Sequence, residues 1–277
     1  MIIAQLTDMH IRPRGLPAYR VVETNTLVER ALRTVAALRP APEVLIMSGD
    51  LTDCGLAEEY DILSELIGRH CTMPVYLVPG NHDRREVMKA RLGHLTGIAG
   101  AGDFIQYAIE DHPVRLIMLD SVVPGFGHGE LCDRRLDFLD RALSAAPAKP
   151  AIVVLHHPPV VCGIEHMDHI NLRTAAAFGA VIARHPQVER VLCGHHHRPI
   201  TARFAGTIVQ VAPSTAHQVS LDLAAAAPST FTLEPPAFLL HRWAAETGVV
   251  SHGVFVEAYP GPYPFVLDPS YPGAMHD

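Results

Sequence analysis

The chain has 277 residues, of which 48% are hydrophobic, and a formal net charge of −7. This size suits one large α/β domain, or one domain with an appended lobe. The acidic balance argues against stable nucleic-acid binding, which needs clustered positive charge. No apolar run approaches the about 18 residues of a membrane span, and no basic segment opens a signal peptide. Five cysteines without a C-x-x-C pair fit free thiols, so a cytoplasmic location is expected.

The first half of the chain alternates buried-type apolar runs with amphipathic segments. The predicted strands are Ile2–Leu6, Val44–Met47, Val75–Val78, Ile105–Glu110 and Val114–Leu119. Helices are predicted at 22–38 and 57–69, with a further helical segment after residue 84. A β-α-β-α-β order implies parallel strands joined by right-handed crossovers, and the last two strands are predicted to form a hairpin.

The second half continues this pattern and then changes character. Helices are predicted at 133–145 and 174–184, and strands at 151–155 and 191–193. The later runs 207–212, 237–243 and 249–257 are predicted to be antiparallel strands. We therefore divide the chain into a core (1–200), a region that completes a second sheet and supplies a cap or dimerisation hairpin (201–258), and a proline-rich tail (259–277).

Metal-type side chains follow five of the predicted strands, at the point where each strand ends. They are Asp8 and His10, Asp50, Asn81 and His82, His156, and His195 and His197. Asp and Asn are ordinary turn residues, but turn preference alone does not predict imidazoles at these positions. Because ligands of open α/β sheets bind beyond the carboxyl ends of the strands, these residues are expected to converge on one crevice.

Seven nitrogen and oxygen ligands without sulfur are too many for one tetrahedral site and suit two ions that share a bridge. Asp50 is the best bridge by chain position, because a carboxylate can give one oxygen to each ion. Such a donor set favours Mn, Fe, Co or Zn. Two ions of this kind lower the pKa of a bridging water and clamp the oxygens of a phosphoryl displacement. We therefore expect phosphate-ester hydrolysis by metal-hydroxide attack.

The same motifs, in the same order, resemble those of the calcineurin-like metallophosphoesterases: Asp8-x-His10, Gly49-Asp50, Gly80-Asn81-His82-Asp83, His156 and Gly194-His195-x-His197. Within that superfamily the stretches 49–55, 58–60 and 216–219 are similar to bacterial class III cyclic-nucleotide phosphodiesterases and, more closely, to the related glycerophosphodiesterases. The resemblance implies an α/β (α+β) fold, a four-layer αββα sandwich.

The resemblance also implies roles for the residues. One metal would be held by Asp8, His10, Asp50 and His197, and the other by Asp50, Asn81, His156 and His195. His82 would contact the substrate phosphate and assist the leaving alkoxide as a general acid or by stabilising its charge. Asn81 would also contact substrate, and His217 either lines the substrate pocket or is structural. His157 and His196, next to ligands, are expected to serve the fold.

The expected substrate is a small phosphodiester. Protein phosphatases of the superfamily carry an Arg where this chain has Cys54, and that Arg grips a doubly charged monoester. A cyclic nucleotide or a glycerophosphodiester is therefore favoured. A phosphomonoesterase, a nuclease of the same fold and a non-catalytic scaffold remain as alternatives, although the scaffold conflicts with the intact ligand set. Relatives often pair through a cap hairpin, so a homo-oligomer is expected.

Overall fold

The computed structural model describes residues 1–264, and within them the chain forms thirteen strands and six helices. The strands are β1 (Ile2–Leu6), β2 (Val44–Ser48), β3 (Val75–Val78), β4 (Tyr107–Ile109), β5 (Arg115–Met118), β6 (Ala151–Val154), β7 (Val188–Cys193), β8 (Ile200–Phe204), β9 (Thr207–Val211), β10 (Gln218–Val219), β11 (Phe231–Thr232), β12 (Ala237–Ala244) and β13 (Gly248–Phe255). The helices are α1 (Thr24–Ala37), α2 (Ala57–His70), α3 (Arg85–Leu92), α4 (Asp133–Ser144), α5 (Glu165–Asp168) and α6 (Ala175–Ala183).

Two mixed sheets form the centre of the fold. The first has the strand order β13-β12-β1-β2-β3, and the second has the order β4-β5-β6-β7-β9-β8. Strands β1, β2 and β3 are parallel, as are β5, β6, β7 and β9, whereas β4, β8, β12 and β13 pair antiparallel with their neighbours. A separate two-stranded sheet joins β10 and β11.

Three hydrophobic cores separate four layers. One core packs α1 and α2 on the first sheet, and a second packs α4 and α6 on the second sheet. The third lies between the sheets, where Ile3 and Ile46 of the first meet Leu116 and Ile152 of the second. These layers confirm the α/β fold with two sheets between helices that the motifs implied.

Local sequence explains the elements that reach the site. All five residues of β2 are buried, as expected for an apolar run that is covered on both faces. Helix α1 buries Val28, Leu32 and Val35, spaced three and four residues apart, against the sheet. Helix α2 begins with Glu59 accepting the backbone N–H of Leu56 over 3.0 Å, which satisfies a donor that helix geometry leaves free.

The structure corrects one expectation for the last strands. Residues 207–211 pair parallel with β7 and antiparallel with β8, an element that the sequence analysis missed. Strand β8 is an edge strand whose residues are half-buried or exposed, so it lacks the apolar run of a buried strand. Strands β10 and β11 were also missed, because two-residue strands carry no periodic signal.

Residues 201–258 divide between the two sheets. Strands β8 and β9 complete the second sheet, whereas the hairpin β12–β13 extends the first sheet beside β1. The boundary at residue 200 and a dimerisation role for this region stay predictions. Most of the predicted tail, residues 265–277, lies outside the described residues. Across the described part of the chain, no helix combines the length and the apolar character that crossing a bilayer requires.

Candidate metal centre

The residues predicted to bind metal lie at the carboxyl ends of five parallel strands. Asp8 and His10 follow β1, Asp50 follows β2, Asn81 follows β3, His156 follows β6, and His195 and His197 follow β7. Six of these seven side chains are buried, and Asn81 is half-buried. The two sheets thus bring together the predicted ligands at one edge of the sandwich.

The backbone around this centre is held in an uncommon conformation. Five of the predicted ligands have positive φ: Asp8 (52°), His10 (45°), Asp50 (46°), His195 (73°) and His197 (53°). Left-handed backbone costs about 1–3 kcal/mol per non-glycine residue and concentrates at functional sites. The clustering therefore marks this edge as a functional site, where the fold holds the side chains in place at a cost in backbone conformational energy.

Glycines let the strand ends approach one another. A Cβ at Gly49 would lie 2.3 Å from His156 Nδ1, one at Gly80 would lie 2.2 Å from Asp50 Oδ1, and one at Gly194 would lie 2.0 Å from Thr7 Oγ1. No side chain fits at these three positions, so glycine precedes the ligands Asp50, Asn81 and His195 for a steric reason.

The first predicted ligand set is assembled. Ligand atoms of Asp8, His10, Asp50 and His197 all lie within 4.8 Å of one another. His197 Nε2 is 3.3 Å from Asp8 Oδ1, and His10 Nε2 is 3.8 Å from Asp50 Oδ2. These distances match the spacing of side chains around one ion.

The second predicted set is assembled around His156. Its Nε2 lies 3.3 Å from Asp50 Oδ2 and 3.2 Å from Asn81 Oδ1. The ring of His195 packs against that of His156 with centroids 5.1 Å apart, and its Nε2 faces the backbone oxygen of Ile170 at 3.1 Å. Asp50 is thus adjacent to His10 of the first set and His156 of the second, the position expected of a bridge.

The hydrogen bonds of the histidines leave one nitrogen of each ring for the centre. Nδ1 of His10 faces Asp53 Oδ1 (3.2 Å), Nδ1 of His156 faces Ser48 O (2.8 Å), and Nδ1 of His197 faces His217 O (2.8 Å). An Nδ1–H that donates to an oxygen fixes the tautomer and turns the Nε2 lone pair inward, as metal-binding histidines do. The Nε2 atoms of His10 and His197 then lie 3.2 Å apart with lone pairs facing each other, which fits a cation bound between them.

The two carboxylates at the centre are ionised, and neighbouring histidines favour that charged form. Burial alone raises the pKa of Asp50, but His156 and His82 outweigh it and hold that pKa well below its ordinary range. Burial likewise raises the pKa of Asp8, but the charges of His197 and His156 outweigh burial and lower that pKa. Two buried carboxylates need compensating positive charge, and the surrounding imidazole and amide donors suit divalent transition ions. The residues therefore fit a pair of metal ions.

His82 and His217 border the cavity above the centre. This cavity has a volume of about 370 Å³. Its lining consists of His10, Tyr19, Asp50, Asn81, His82, His166, Met167, Ile170, His195, His197, His217, Val219, Ser229, Thr230 and Phe231. His217 packs between His197 and Phe231, and its burial lowers its pKa to about 2, so its ring is neutral.

The sequence analysis missed the residues that support the ligands. Asp83 accepts hydrogen bonds from the amides of Leu51, Thr52 and Gly80 and from the Tyr60 hydroxyl. Its burial and the charge of Asp50 raise its pKa to about 6. Its position directly after His82 in a quoted motif was the available signal. Asp53, which orients His10, lies in the stretch 49–55 that carries the closer resemblance, and that was its available signal.

The two histidines beside ligands have hydrogen-bond partners of their own. The ring of His157 nevertheless packs against those of His156 and His195, with centroids 4.9 and 4.7 Å apart, and one of its nitrogens lies within 4.8 Å of theirs. His157 contacts Ser121 Oγ through Nδ1 (2.8 Å) and Gly127 O through Nε2 (3.2 Å). His196 contacts Cys162 Sγ and Asn171 Oδ1. Their bonds go to residues outside the predicted ligand sets.

Comparison with known proteins places this geometry in a family. Residues 1–199 match the family described as Calcineurin-like phosphoesterase. A probable glycerophosphodiester phosphodiesterase from Arcobacter nitrofigilis is 36% identical over 96% of this chain and 97% of its own length. A 3′,5′-cyclic adenosine monophosphate phosphodiesterase from Escherichia coli K12 is 30% identical over 84% of each chain.

Solved structures show the same architecture. The crystal structure of a dimetal phosphatase from Danio rerio superposes with a TM-score of 0.66 and covers 93% of this chain and 99% of its own. The two sequences are only 14% identical, so this likeness concerns the fold alone.

Proposed function

This chain belongs to the calcineurin-like phosphoesterase family, as a metal-dependent phosphodiesterase, and we propose that it hydrolyses small phosphodiesters at a two-metal centre. The proposed substrates are glycerophosphodiesters and 3′,5′-cyclic nucleotides. Support for glycerophosphodiesters comes from the higher identity and coverage of the relative that carries that name. Support for cyclic nucleotides comes from the second relative.

We propose that Asp8, His10, Asp50 and His197 hold one ion and that Asp50, Asn81, His156 and His195 hold the other. Mn, Fe, Co and Zn all suit these nitrogen and oxygen donors. When bound, such ions supply an activated water at neutral pH and neutralise phosphate charge. The lone-pair-to-lone-pair approach of His10 and His197 supports the first of these assignments.

The observation that carries the diester proposal is the charge of the cavity. Its lining contains no lysine or arginine among the described residues. A monoester dianion lacks a fixed cation to pair with there, whereas a diester carries a single charge. Arg12, the basic residue beside Cys54, is bound to Glu59 at 3.0 Å and lies outside the lining.

An adjoining cavity of about 190 Å³ does contain arginines, but they have partners. It shares Asn81 and His82 with the main cavity and is also lined by Arg84 and Arg85. Arg85 forms a two-pronged ion pair with Asp120, and Arg84 Nε donates to the backbone oxygen of Cys54. The charge of Arg85 is thus paired within the protein, whereas the exposed Arg84 makes this one contact with a neutral oxygen.

The chain's own residues position the diester. The backbone N–H of His82 donates to Asp50 Oδ1 at 2.9 Å, and its Nδ1 faces the backbone oxygen of Asp53 at 2.6 Å. The side chain is 30% exposed and borders the cavity, so its Nε2 is the nitrogen available to substrate. We propose that it interacts with the phosphate and delivers a proton to the leaving alkoxide, while Asn81 and His217 border the phosphate.

Metal-stripped enzyme tests this function. We expect Mn(II) to restore cleavage of bis-p-nitrophenyl phosphate, glycerophosphocholine or 3′,5′-cyclic AMP, and little cleavage of the monoester p-nitrophenyl phosphate. An Asn81→Ala variant should lose that activity. Rapid monoester hydrolysis with no diester turnover would instead establish a phosphomonoesterase, and inactivity toward both ester types with every metal would favour the scaffold alternative.

We further propose a cytoplasmic homo-oligomer without stable nucleic-acid binding. The five cysteines are unpaired, which suits a reducing compartment. Strand β13 is an edge of the first sheet. Phe255 at its end (57% exposed), and Tyr259 (58%) and Tyr263 (71%) beyond it, present aromatic surface. Light scattering of purified protein tests the oligomer, and a monomeric mass at micromolar concentration would contradict it.

A further inference from the structure

A second group of ligand-type side chains lies beside the phosphodiesterase centre and takes no part in the chemistry proposed above. Cys162, Asp168 and His196 each offer one atom, and these three atoms lie within 4.8 Å of one another. Sγ of Cys162 is 3.2 Å from Nδ1 of His196. The three side chains come from the segment after β6, from α5 and from the loop after β7, so their meeting is a product of the tertiary fold.

The ring of His196 is already oriented for coordination. Its Nε2 lies 2.6 Å from Asn171 Oδ1. That amide oxygen must accept, because Asn171 Nδ2 donates to Val160 O and to Asp168 Oδ1. His196 therefore carries its proton on Nε2, and the lone pair of Nδ1 points at the cysteine sulfur. An amide oxygen that fixes the tautomer of a histidine is a recurring partner of metal ligands.

Asp168 is equally well held. Its Oδ1 accepts the backbone N–H of Cys162 and its Oδ2 accepts that of Gly163, both at 2.8 Å. The chain between residues 162 and 168 is thus folded around the carboxylate before any ion arrives. Each carboxylate oxygen has two lone pairs, so Oδ2 keeps one that these contacts do not use.

We propose that Cys162, Asp168 and His196 bind one zinc ion, separate from the two ions of the phosphodiesterase centre. One sulfur, one imidazole nitrogen and one carboxylate oxygen are typical zinc donors, and a water completes a tetrahedral set. Both Cys162 and Asp168 are half-buried, so this water can be supplied by solvent. The cysteine binds as the thiolate, and its proton passes to solvent when the ion binds.

An ion at this site would also connect two parts of the structure. The segment that it holds includes Met167 and runs on to Ile170, which both line the cavity, and His196 lies between His195 and His197. A zinc ion there fastens one wall of the substrate cavity to the strand end that carries two of the proposed ligands. Its removal is expected to loosen that wall while leaving the two-metal donor set in place.

The sulfur ligand makes the site separable by spectroscopy. The proposed phosphodiesterase centre contains only nitrogen and oxygen donors, so a thiolate-to-cobalt charge-transfer band in the near ultraviolet reports on the new site alone. Enzyme whose two-metal centre has been filled with Mn(II) is titrated with Co(II), and separately with Zn(II) followed by metal analysis. We expect the band to appear and one zinc per chain to be retained beyond the two-metal complement.

Matched variants identify the ligand. Cys162→Ser should abolish the band and the extra zinc while keeping its circular dichroism spectrum and the metal content of the phosphodiesterase centre. Cys54→Ser, which removes the exposed cysteine that follows Asp53, should keep both signals, and His196→Asn should lose them. Absence of the band from the wild-type enzyme, or its persistence in Cys162→Ser, would overturn the proposal. The diester assay is independent of this result, so failure of the zinc site leaves the proposed function testable on its own.

Discussion

His82 Nδ1 lies 2.6 Å from the backbone oxygen of Asp53, a contact that fixes the imidazole ring beside the cavity and leaves Nε2 as its free nitrogen. The charges of Asp50 and Asp53 outweigh burial and raise the pKa of His82 above its ordinary value. A ring that is held in place and whose protonated form is favoured by neighbouring carboxylates is suited to donate a proton to a departing oxygen.

This geometry predicts that the effect of His82 depends on the leaving group. His82→Ala is expected to lower kcat/KM for glycerophosphocholine by about 100-fold or more, because an alkoxide needs a proton to depart. The loss with bis-p-nitrophenyl phosphate should be much smaller, because p-nitrophenolate leaves unaided. His166→Ala is the control, since His166 also lines the cavity, and it should affect both substrates alike. Equal losses in His82→Ala would contradict a proton-donor role.

Asp53 is predicted to act through His10. Its Oδ1 lies 3.2 Å from His10 Nδ1, and partners of this kind contribute about 10- to 100-fold to metal affinity or activity. We expect Asp53→Ala to lower the affinity of the first ion by that amount while the fold is kept. Asp61→Ala, an exposed change on α2, serves as the control. Full metal content and unaltered activity in Asp53→Ala would show that His10 needs no such support.

The two ions are predicted to bind unequally. The first set has two carboxylates, Asp8 and Asp50, whereas the second shares Asp50 and otherwise relies on the neutral Asn81 and two imidazoles. Calorimetric titration of Mn(II) into apoenzyme should therefore resolve a tight and a weaker step. Asn81→Asp adds a negative charge to the second set and should reduce the difference between the two Mn(II) affinities. A single binding step with two equal affinities would contradict this prediction.

Sequence reasoning predicted which side chains come together because the information it needed was local. Each apolar strand ends at a polar residue, and parallel strands bring their carboxyl ends to one edge. Asp8 and His197 are far apart in the chain but follow parallel strands of the two facing sheets, so they could be predicted to meet. The supporting contacts of Asp53 and Asp83 were not predictable, because they depend on loop paths that carry no periodic pattern.

The positive φ angles and the edge strand β8 could not be predicted from the sequence, for a different reason. A left-handed conformation at Asp8 or His195 is imposed by the surrounding fold against the preference of the residue itself. The half-exposed residues of β8 join a sheet only because β9 offers an unpaired edge. In both cases tertiary context decides the local structure.

A last prediction concerns stability and rests on His241, which is far from the predicted metal ligands in sequence. Its Nε2 lies 3.0 Å from Gln5 Oε1 and its Nδ1 lies 2.7 Å from Ser251 Oγ. Gln5 Nε2 in turn donates to Ser48 Oγ and to the backbone oxygen of Cys193. This chain of bonds joins β13, β12, β1 and β2 of the first sheet to β7 of the second, and a neutral His241 completes it.

Burial, aided by Arg190, lowers the pKa of His241 to about 3, whereas an unfolded histidine titrates near about 6.5. Between these values the unfolded chain binds a proton that the folded chain does not. The contribution of His241 is therefore complete above about pH 6.5 and declines by at most about 1.4 kcal/mol per pH unit as the pH falls toward 3. His241→Gln keeps a donor and an acceptor but cannot titrate, so its unfolding free energy should fall less between pH 7 and pH 5.

Urea denaturation of both proteins at the two pH values measures this difference. Acid effects on the metal centre are common to wild type and variant, and they cancel when the two changes are subtracted. His94→Gln is the matched control, because His94 is exposed and lies outside this chain of bonds, and it should keep the wild-type pH dependence. A His241→Gln protein that loses stability with acid as steeply as wild type would show that His241 is not held neutral between the sheets.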